Sequence, residues 1–191
     1  DTAELVKISA LCKELNLPLH LDGARVFNAL AVNQMQPAAY GAFYDSISVC
    51  LSKGLGAPVG SLLIGSAAFI EKARRVRKVF GGGMRQAGII AAGGLYALEH
   101  NVERLQEDHL HALQLEKALQ NCACIDSVLP VQTNIVVAQL KDVAERDTFI
   151  ENLKERGILC MAFGPGMIRM VTHLDFSAND CAFCVETLQK M

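Results

Sequence analysis

Apolar positions along the first hundred residues alternate between a helical and an extended period. Leu5, Ile8, Cys12 and Leu15 recur at three- and four-residue spacing and predict a helix, which Asn16 and Pro18 end. The run Leu17 to Leu21 predicts a buried strand that delivers Asp22 at its C-terminal end. Ala24 to Val32 returns to the helical period, and Ser46 to Leu51 predicts a second strand leading to Ser52 and Lys53. Ser61 to Ile64 predicts a third, after a turn broken by Gly54, Gly56, Pro58 and Gly60. Ala67 to Val79 reads as a helix closed by Gly81, Gly82 and Gly83, because glycine is costly inside helices. Gln86 to Leu98 and Val102 to Asn121 predict two more, parted at His100 and Asn101.

Beyond Cys124 the pattern shortens. Asn134 to Ala138, Ile158 to Ala162 and Ile168 to Val171 read as strands, and Glu145 to Arg156 as a helix stopped by Gly157. A last helix begins at Ser177, which precedes Asp180 by three and approximates a capping box. Strands alternating with helices predict an α/β sheet with ligands at the strand C-terminal ends, followed by a small α+β segment. The expected organisation is a sheet-based domain over residues 1–100, a connecting helix over 101–121 and a small domain over 122–191.

Composition narrows the function classes. With 51% hydrophobic and 20% charged residues among 191, the chain can bury a core and lacks the make-up of a disordered polymer. A formal charge of −2 gives no electrostatic reason to bind nucleic acid. The basic run Lys72, Arg74, Arg75, Arg77 and Lys78 spreads over more than one helix face and reads as solvated surface. Ala87 to Leu98, the longest stretch without charged residues, Ser, Asn, Gln or Pro, falls well short of the roughly 18 residues needed to cross a bilayer, so no membrane is expected. Asp1 and Glu4 stand where a secretory signal would be basic and then apolar. Seven cysteines, an odd number, suit reduced packing thiols in the cytoplasm. Cys181 and Cys184 lack the second ligand pair that zinc requires, and Cys122 and Cys124, one residue apart, are no standard ligand pair, so no metal is expected.

Chemistry concentrates at two strand ends. In Ser52-Lys53-Gly54-Leu55-Gly56-Ala57-Pro58, a lysine between a strand and a glycine-rich turn has no packing role. Partial desolvation there would expose an amine suited to a Schiff base, although taken alone the residue fits an ordinary surface loop lysine better. In His20-Leu21-Asp22-Gly23-Ala24-Arg25, a carboxylate ending a buried strand needs a cationic partner, unless it caps the following helix. An acid and a lysine at neighbouring strand ends fit the two ends of pyridoxal phosphate.

These stretches, with Ser48-Val49-Cys50-Leu51 ahead of Ser52, Gly81-Gly82-Gly83-Met84-Arg85-Gln86 and Arg169-Met170-Val171-Thr172-His173, resemble those of the low-specificity L-threonine aldolases. Those are enzymes of the aspartate aminotransferase fold that use pyridoxal 5'-phosphate and are related to the β-eliminating lyases. The resemblance implies that Lys53 carries the cofactor as a Schiff base, that Asp22 pairs with its ring nitrogen, and that Arg25 and Arg169 hold the substrate carboxylate. A guanidinium fork suits that last task through two parallel charge-assisted hydrogen bonds. It implies that Arg85 lies near the cofactor phosphate of a neighbouring subunit, in a homo-oligomer with its active site at the subunit interface. Lys78 falls near the same phosphate region, His173 near Arg169, and His20 reads as a structural histidine; His100, His109 and His111 read as helix surface.

The implied reaction cleaves the small amino acids L-threonine or L-allo-threonine to glycine and acetaldehyde. Members of that family are longer, so the chain is expected to be their C-terminal portion, without the upstream phosphate cradle and ring-stacking histidine. Alternatives are another enzyme of the fold, a β-eliminating lyase or aminotransferase, or an inactive truncated isoform acting through subunit association.

Overall fold

The computed structural model describes residues 2–191. Asp1, where the first expected domain starts, lies outside them. The chain divides into two units, one ending at Glu103 and one running Arg104–Met191.

The first unit opens with helix α1 (Thr2–Glu14), whose end is set by Asn16 in the left-handed conformation, φ 52°, with the Leu17 amide donating back to the Cys12 carbonyl at 2.8 Å. Strand β1 (His20–Gly23), helices α2 (Val26–Asn33) and α3 (Pro37–Gly41), and strand β2 (Ser46–Cys50) form a parallel crossover unit. Strand β3 (Ser61–Gly65) then runs antiparallel to β2, giving the order β1-β2-β3. The connection from β2 to β3 contains no helix to carry the chain back to the starting edge, so the third strand must reverse. Helix α4 (Ala67–Val79) is capped by the Ser66 hydroxyl, which accepts from the Phe69 amide, and helix α5 (Gly88–His100) completes the unit.

Two expectations need correction here. The strand begins at His20 rather than Leu17, and Leu17 is 55% exposed, because β1 is a sheet edge and not an interior strand. In α1 the buried residue is Ser9, whose hydroxyl donates to the Phe43 carbonyl, whereas Ile8 and Leu15 are exposed.

The second unit is built on a four-stranded antiparallel sheet of β4 (Ile125–Val128), β5 (Ile135–Leu140), β6 (Met161–Ala162) and β7 (Met167–Val171), in the order β4-β5-β7-β6. Helices α6 (Leu105–Gln120), α7 (Arg146–Glu155) and α8 (Ala178–Leu188) accompany it. The helix expected as a connector is integral here: Ala112, Leu115, Ala118 and Leu119 of α6 share one core with Val136, Leu140, Leu153, Ile168, Cys181 and Leu188. The capping box at α8 forms fully, with the Asp180 amide donating to Ser177 Oγ and the Ser177 amide to Asp180 Oδ2. Gly157, φ +83°, follows α7 as the spacing predicts. Among the described residues no helix is long and apolar enough to cross a membrane.

Candidate active site

Asp22 and Lys53 leave the sheet on the same side. Because β1 and β2 are parallel, with Asp22 beside Ser48 and Gly23 beside Val49, both residues follow from the C-terminal ends of adjacent strands. A Cβ on Gly23 would come within 2.8 Å of the Ser48 carbonyl oxygen, so only glycine lets this strand end press against β2.

The Asp22 carboxylate is exposed, and its Oδ1 accepts from the Ala24 amide at 3.2 Å, a local turn contact. It does not cap α2: that helix starts at Val26 after Arg25, which makes no side-chain capping bond. Burial of Asp22 at the end of an interior strand, expected from the sequence, is not found, since β1 is an edge. His20, two residues earlier, places Nδ1 at 2.8 Å from Ser46 Oγ, its direct cross-strand neighbour.

Lys53 stands on a turn held from beneath. Leu51, Leu55 and Ala57 are buried, with Leu55 only 2% exposed, while Ser52 and Lys53 face outward. The turn is closed by three backbone bonds: Gly56 N–H to the Lys53 carbonyl, Ala57 N–H to Leu51, and Leu51 N–H to Gly60. Helix α5 lies against this turn. A Cβ on Gly93 would meet the Pro58 ring at 2.9 Å and one on Gly94 would meet Leu51 Cδ1 at 2.9 Å. Asn101 Nδ2 donates to the Leu55 carbonyl at 2.7 Å. The lysine is therefore exposed rather than desolvated, because apolar anchors on both sides draw the turn down and leave its tip outside. Gly93, Gly94 and Asn101 are supports that the sequence reading passed over; the paired glycines inside an apolar helical run are the signal that marks them.

The arginines occupy three settings. Arg25 is half-buried ahead of α2, three residues past Asp22. Arg85 is exposed beyond the triple glycine, next to Gln86 with its positive φ of 49°. Arg169 belongs to the second unit, central in its sheet, with Val137 of β5 on one side and Met161 of β6 on the other. Thus one unit carries Asp22, Arg25 and Lys53 at or just after the C-terminal ends of its two parallel strands, and the other presents Arg169 on a central strand. The basic residues of α4, Lys78 included, are all exposed. His173 is exposed and its Nδ1 accepts from the Asp175 amide. His109 and His111 are half-buried rather than surface residues, and His111 meets the Phe176 ring edge-on at 5.8 Å. No cluster of three or more His, Cys, Asp or Glu able to hold a metal occurs among the described residues.

A sequence model of the beta-eliminating lyases matches residues 1–143, which include Asp22, Arg25, Lys53 and Arg85. The chain belongs to the beta-eliminating lyase family. This beta-eliminating lyase family member is 40% identical, over 96% of its length, to low-specificity L-threonine aldolase 1 of Arabidopsis thaliana, covering 52% of that protein. It is 43% identical to the low specificity L-threonine aldolase of Escherichia coli, over 89% of its own length and 50% of the relative's. The chain spans about half the length of the curated relatives it matches. The solved structure of Leishmania major threonine aldolase superposes with a TM-score of 0.77 at 24% identity, covering 98% of this chain and 56% of that one. The fold is that of the aspartate aminotransferase class, and enzymes of this family and fold use pyridoxal 5'-phosphate.

Proposed function

We propose that this chain carries the lysine-bearing part of a threonine aldolase active site, and that the whole protein cleaves L-threonine or L-allo-threonine to glycine and acetaldehyde with pyridoxal 5'-phosphate. The observation that carries this reading is the pinned, outward-facing Lys53 past the C-terminal end of the strand parallel and adjacent to the one that carries Asp22. The residues present fit that cofactor. An exposed primary amine on a braced turn suits its aldehyde, and an exposed carboxylate at the adjacent strand end suits its ring nitrogen. Bound there, pyridoxal phosphate supplies an electron sink for the pair released when the Cα–Cβ bond breaks.

The chain's own groups have the remaining tasks. Asp22 holds a proton on the ring nitrogen through charge, and its tether to the Ala24 amide fixes its direction. Arg25 and Arg169 are each a guanidinium whose forked hydrogen bonds suit a carboxylate, the group by which an amino-acid substrate is oriented. Arg85 serves the cofactor phosphate of a neighbouring subunit in a homo-oligomer, and the protein works in the cytoplasm, where unpaired thiols stay reduced.

Spectral titration of the protein with pyridoxal phosphate, followed by product analysis, tests the proposal. Expected are a lysine-bound cofactor band that Lys53→Ala abolishes and acetaldehyde released from threonine. Pyruvate or another keto acid in place of acetaldehyde would reassign the protein to a different reaction of the same fold. A folded chain that binds no cofactor would leave it as an inactive member acting through association. In sedimentation the protein is expected to run larger than one chain, and Arg85→Ala to raise the cofactor concentration needed for saturation.

A further inference from the structure

The turn joining α6 to β4 brings two thiols together beside a charged cavity. Cys122 and Cys124 are the first and third residues of a turn closed by the Ile125 amide donating to the Cys122 carbonyl at 3.1 Å. Their sulfurs lie 3.3 Å apart in an S–H···S contact. Two residues along a chain that turns this tightly are within the Cα separation a disulfide tolerates, and bonding requires the sulfurs to approach to about 2.05 Å. Cys122 is buried, whereas Cys124 is partly open and lines a cavity of about 380 Å³ together with Glu145, Arg156 and Lys190. Lys141 donates from Nζ to the carbonyl of Ala123, the residue between the cysteines, at 2.7 Å. The cavity wall thus carries Arg156 and Lys190 against Glu145, with Lys190 also paired to Glu186, and Lys141 is the cation bonded to the turn itself. The other buried thiols differ: Cys181 is directed to Gln114 Oε1 and the His111 carbonyl.

We infer that Cys122 and Cys124 are a site of reversible thiol–disulfide exchange with a small anionic disulfide of the glutathione type, whose carboxylates Arg156 and Lys190 of that cavity attract. In the first step the Cys124 thiolate attacks one sulfur of the small disulfide. That forms a mixed disulfide on Cys124 and releases one small thiol. The Cys122 sulfur then attacks Cys124 Sγ, forming the 122–124 bond and releasing the second thiol. Two electrons pass from the protein dithiol to the small disulfide, and the two protein protons leave with the released thiols. Burial and the neighbouring Cys122 sulfur push the Cys124 thiol up to about 11, with Lys141 pulling the other way. Ionisation of Cys124 therefore gates the first step, which quickens as pH rises towards that value. This site lies wholly in the second unit and is independent of the aldolase proposal.

The test is incubation of the reduced, desalted chain with excess oxidised glutathione, followed by thiol titration in denaturant and peptide mass mapping. Two of the seven thiols are expected to disappear, the peptide holding residues 122–124 to be two hydrogens lighter, and no glutathione to remain. Cys122→Ser is expected to retain one glutathione on Cys124, and Cys124→Ser to retain none at either position. Seven thiols surviving conditions that oxidise dithiothreitol would overturn the inference. So would oxidation mapped to another pair, or glutathione persisting on Cys124 of the unmutated chain. The unmutated measurement stands even if a serine variant fails to fold.

Discussion

Residues up to Glu103 and residues 104–191 handle their apolar side chains in different ways. The second unit collects Leu115, Leu119, Val136, Leu140, Leu153, Ile168 and Leu188 into one cluster between an antiparallel sheet and helices, several with no exposed surface. In the first unit the buried apolar side chains gather around the β2 end and the Lys53 turn, while Leu62, Leu63 and Ile64 of β3 all stay more than 40% exposed. The difference separates two uses of hydrophobic burial. Within this chain, which spans about half the length of its relatives, the second unit closes an interior of its own, and the first buries chiefly the side chains that brace the turn presenting the lysine.

Several measurements can break or sharpen that contrast. The largest effect belongs to the second core, where Leu153→Ala should lower unfolding free energy by about 2–5 kcal/mol in urea, against about 0.5 kcal/mol or less for Leu63→Ala on β3. Equal losses would show that β3 is buried in the working protein and would erase the contrast. The buried Arg104–Asp108 pair, 2.7 Å apart with Asp108 fully enclosed, comes next. Asp108→Ala should cost about 1–3 kcal/mol by removing the nearer of the two carboxylates on the Arg104 guanidinium, Glu107 remaining at 3.8 Å. Glu4→Ala, which removes the exposed Lys7–Glu4 pair of the first unit, should cost under about 0.5 kcal/mol in the same urea experiment.

A smaller effect tests the brace beneath Lys53. The Cβ of Gly93→Ala would meet the rigid Pro58 ring, an overpacking cost of about 1–3 kcal/mol offset by about 1 kcal/mol of improved helix propensity. Gly94→Ala meets only the tip of Leu51 and should be nearly neutral. If Gly93→Ala left both thermal unfolding and the cofactor band unchanged, α5 would not position the turn. The smallest effect is at the α8 cap. Hydrogen bonds from the Ser177 side chain and backbone hold the Asp180 carboxyl below the usual aspartate range. Its contribution is therefore present above the ordinary aspartate pKa and is lost as pH falls through the lower folded value. Acid unfolding of Asp180→Asn should lack that component, while the two proteins respond to alkali alike.

Elements with strong local signals were legible from the residues alone. Ser177 with Asp180, Asn16 ahead of Pro18 and Gly157 each mark a helix end by side-chain or backbone chemistry that acts within a few residues. Strand β4 escaped because Ile125-Asp126-Ser127-Val128 is short and polar at its centre, and α3 because it is barely more than one turn. The expected strand from Ile158 shrank to Met161–Ala162, since pairing with β7 extends over only two residues. At the site, Asp22 and Lys53 stood out by residue type and position, but their surroundings did not. Exposure depends on which strand is an edge, and the support from Gly93 and Asn101 comes from some forty residues along the chain.

The sequence by itself determined the existence of most helices, the stops at Asn16 and Gly157, the cap at Ser177, and the family, because these depend on local periodicity and motif. Only the tertiary structure decided that β3 reverses, that α6 belongs to the second core, and that Lys53 is braced but open. It also decided that two cysteines one residue apart meet sulfur to sulfur. Each of those outcomes depends on a turn or on packing between distant segments, which local pattern does not encode.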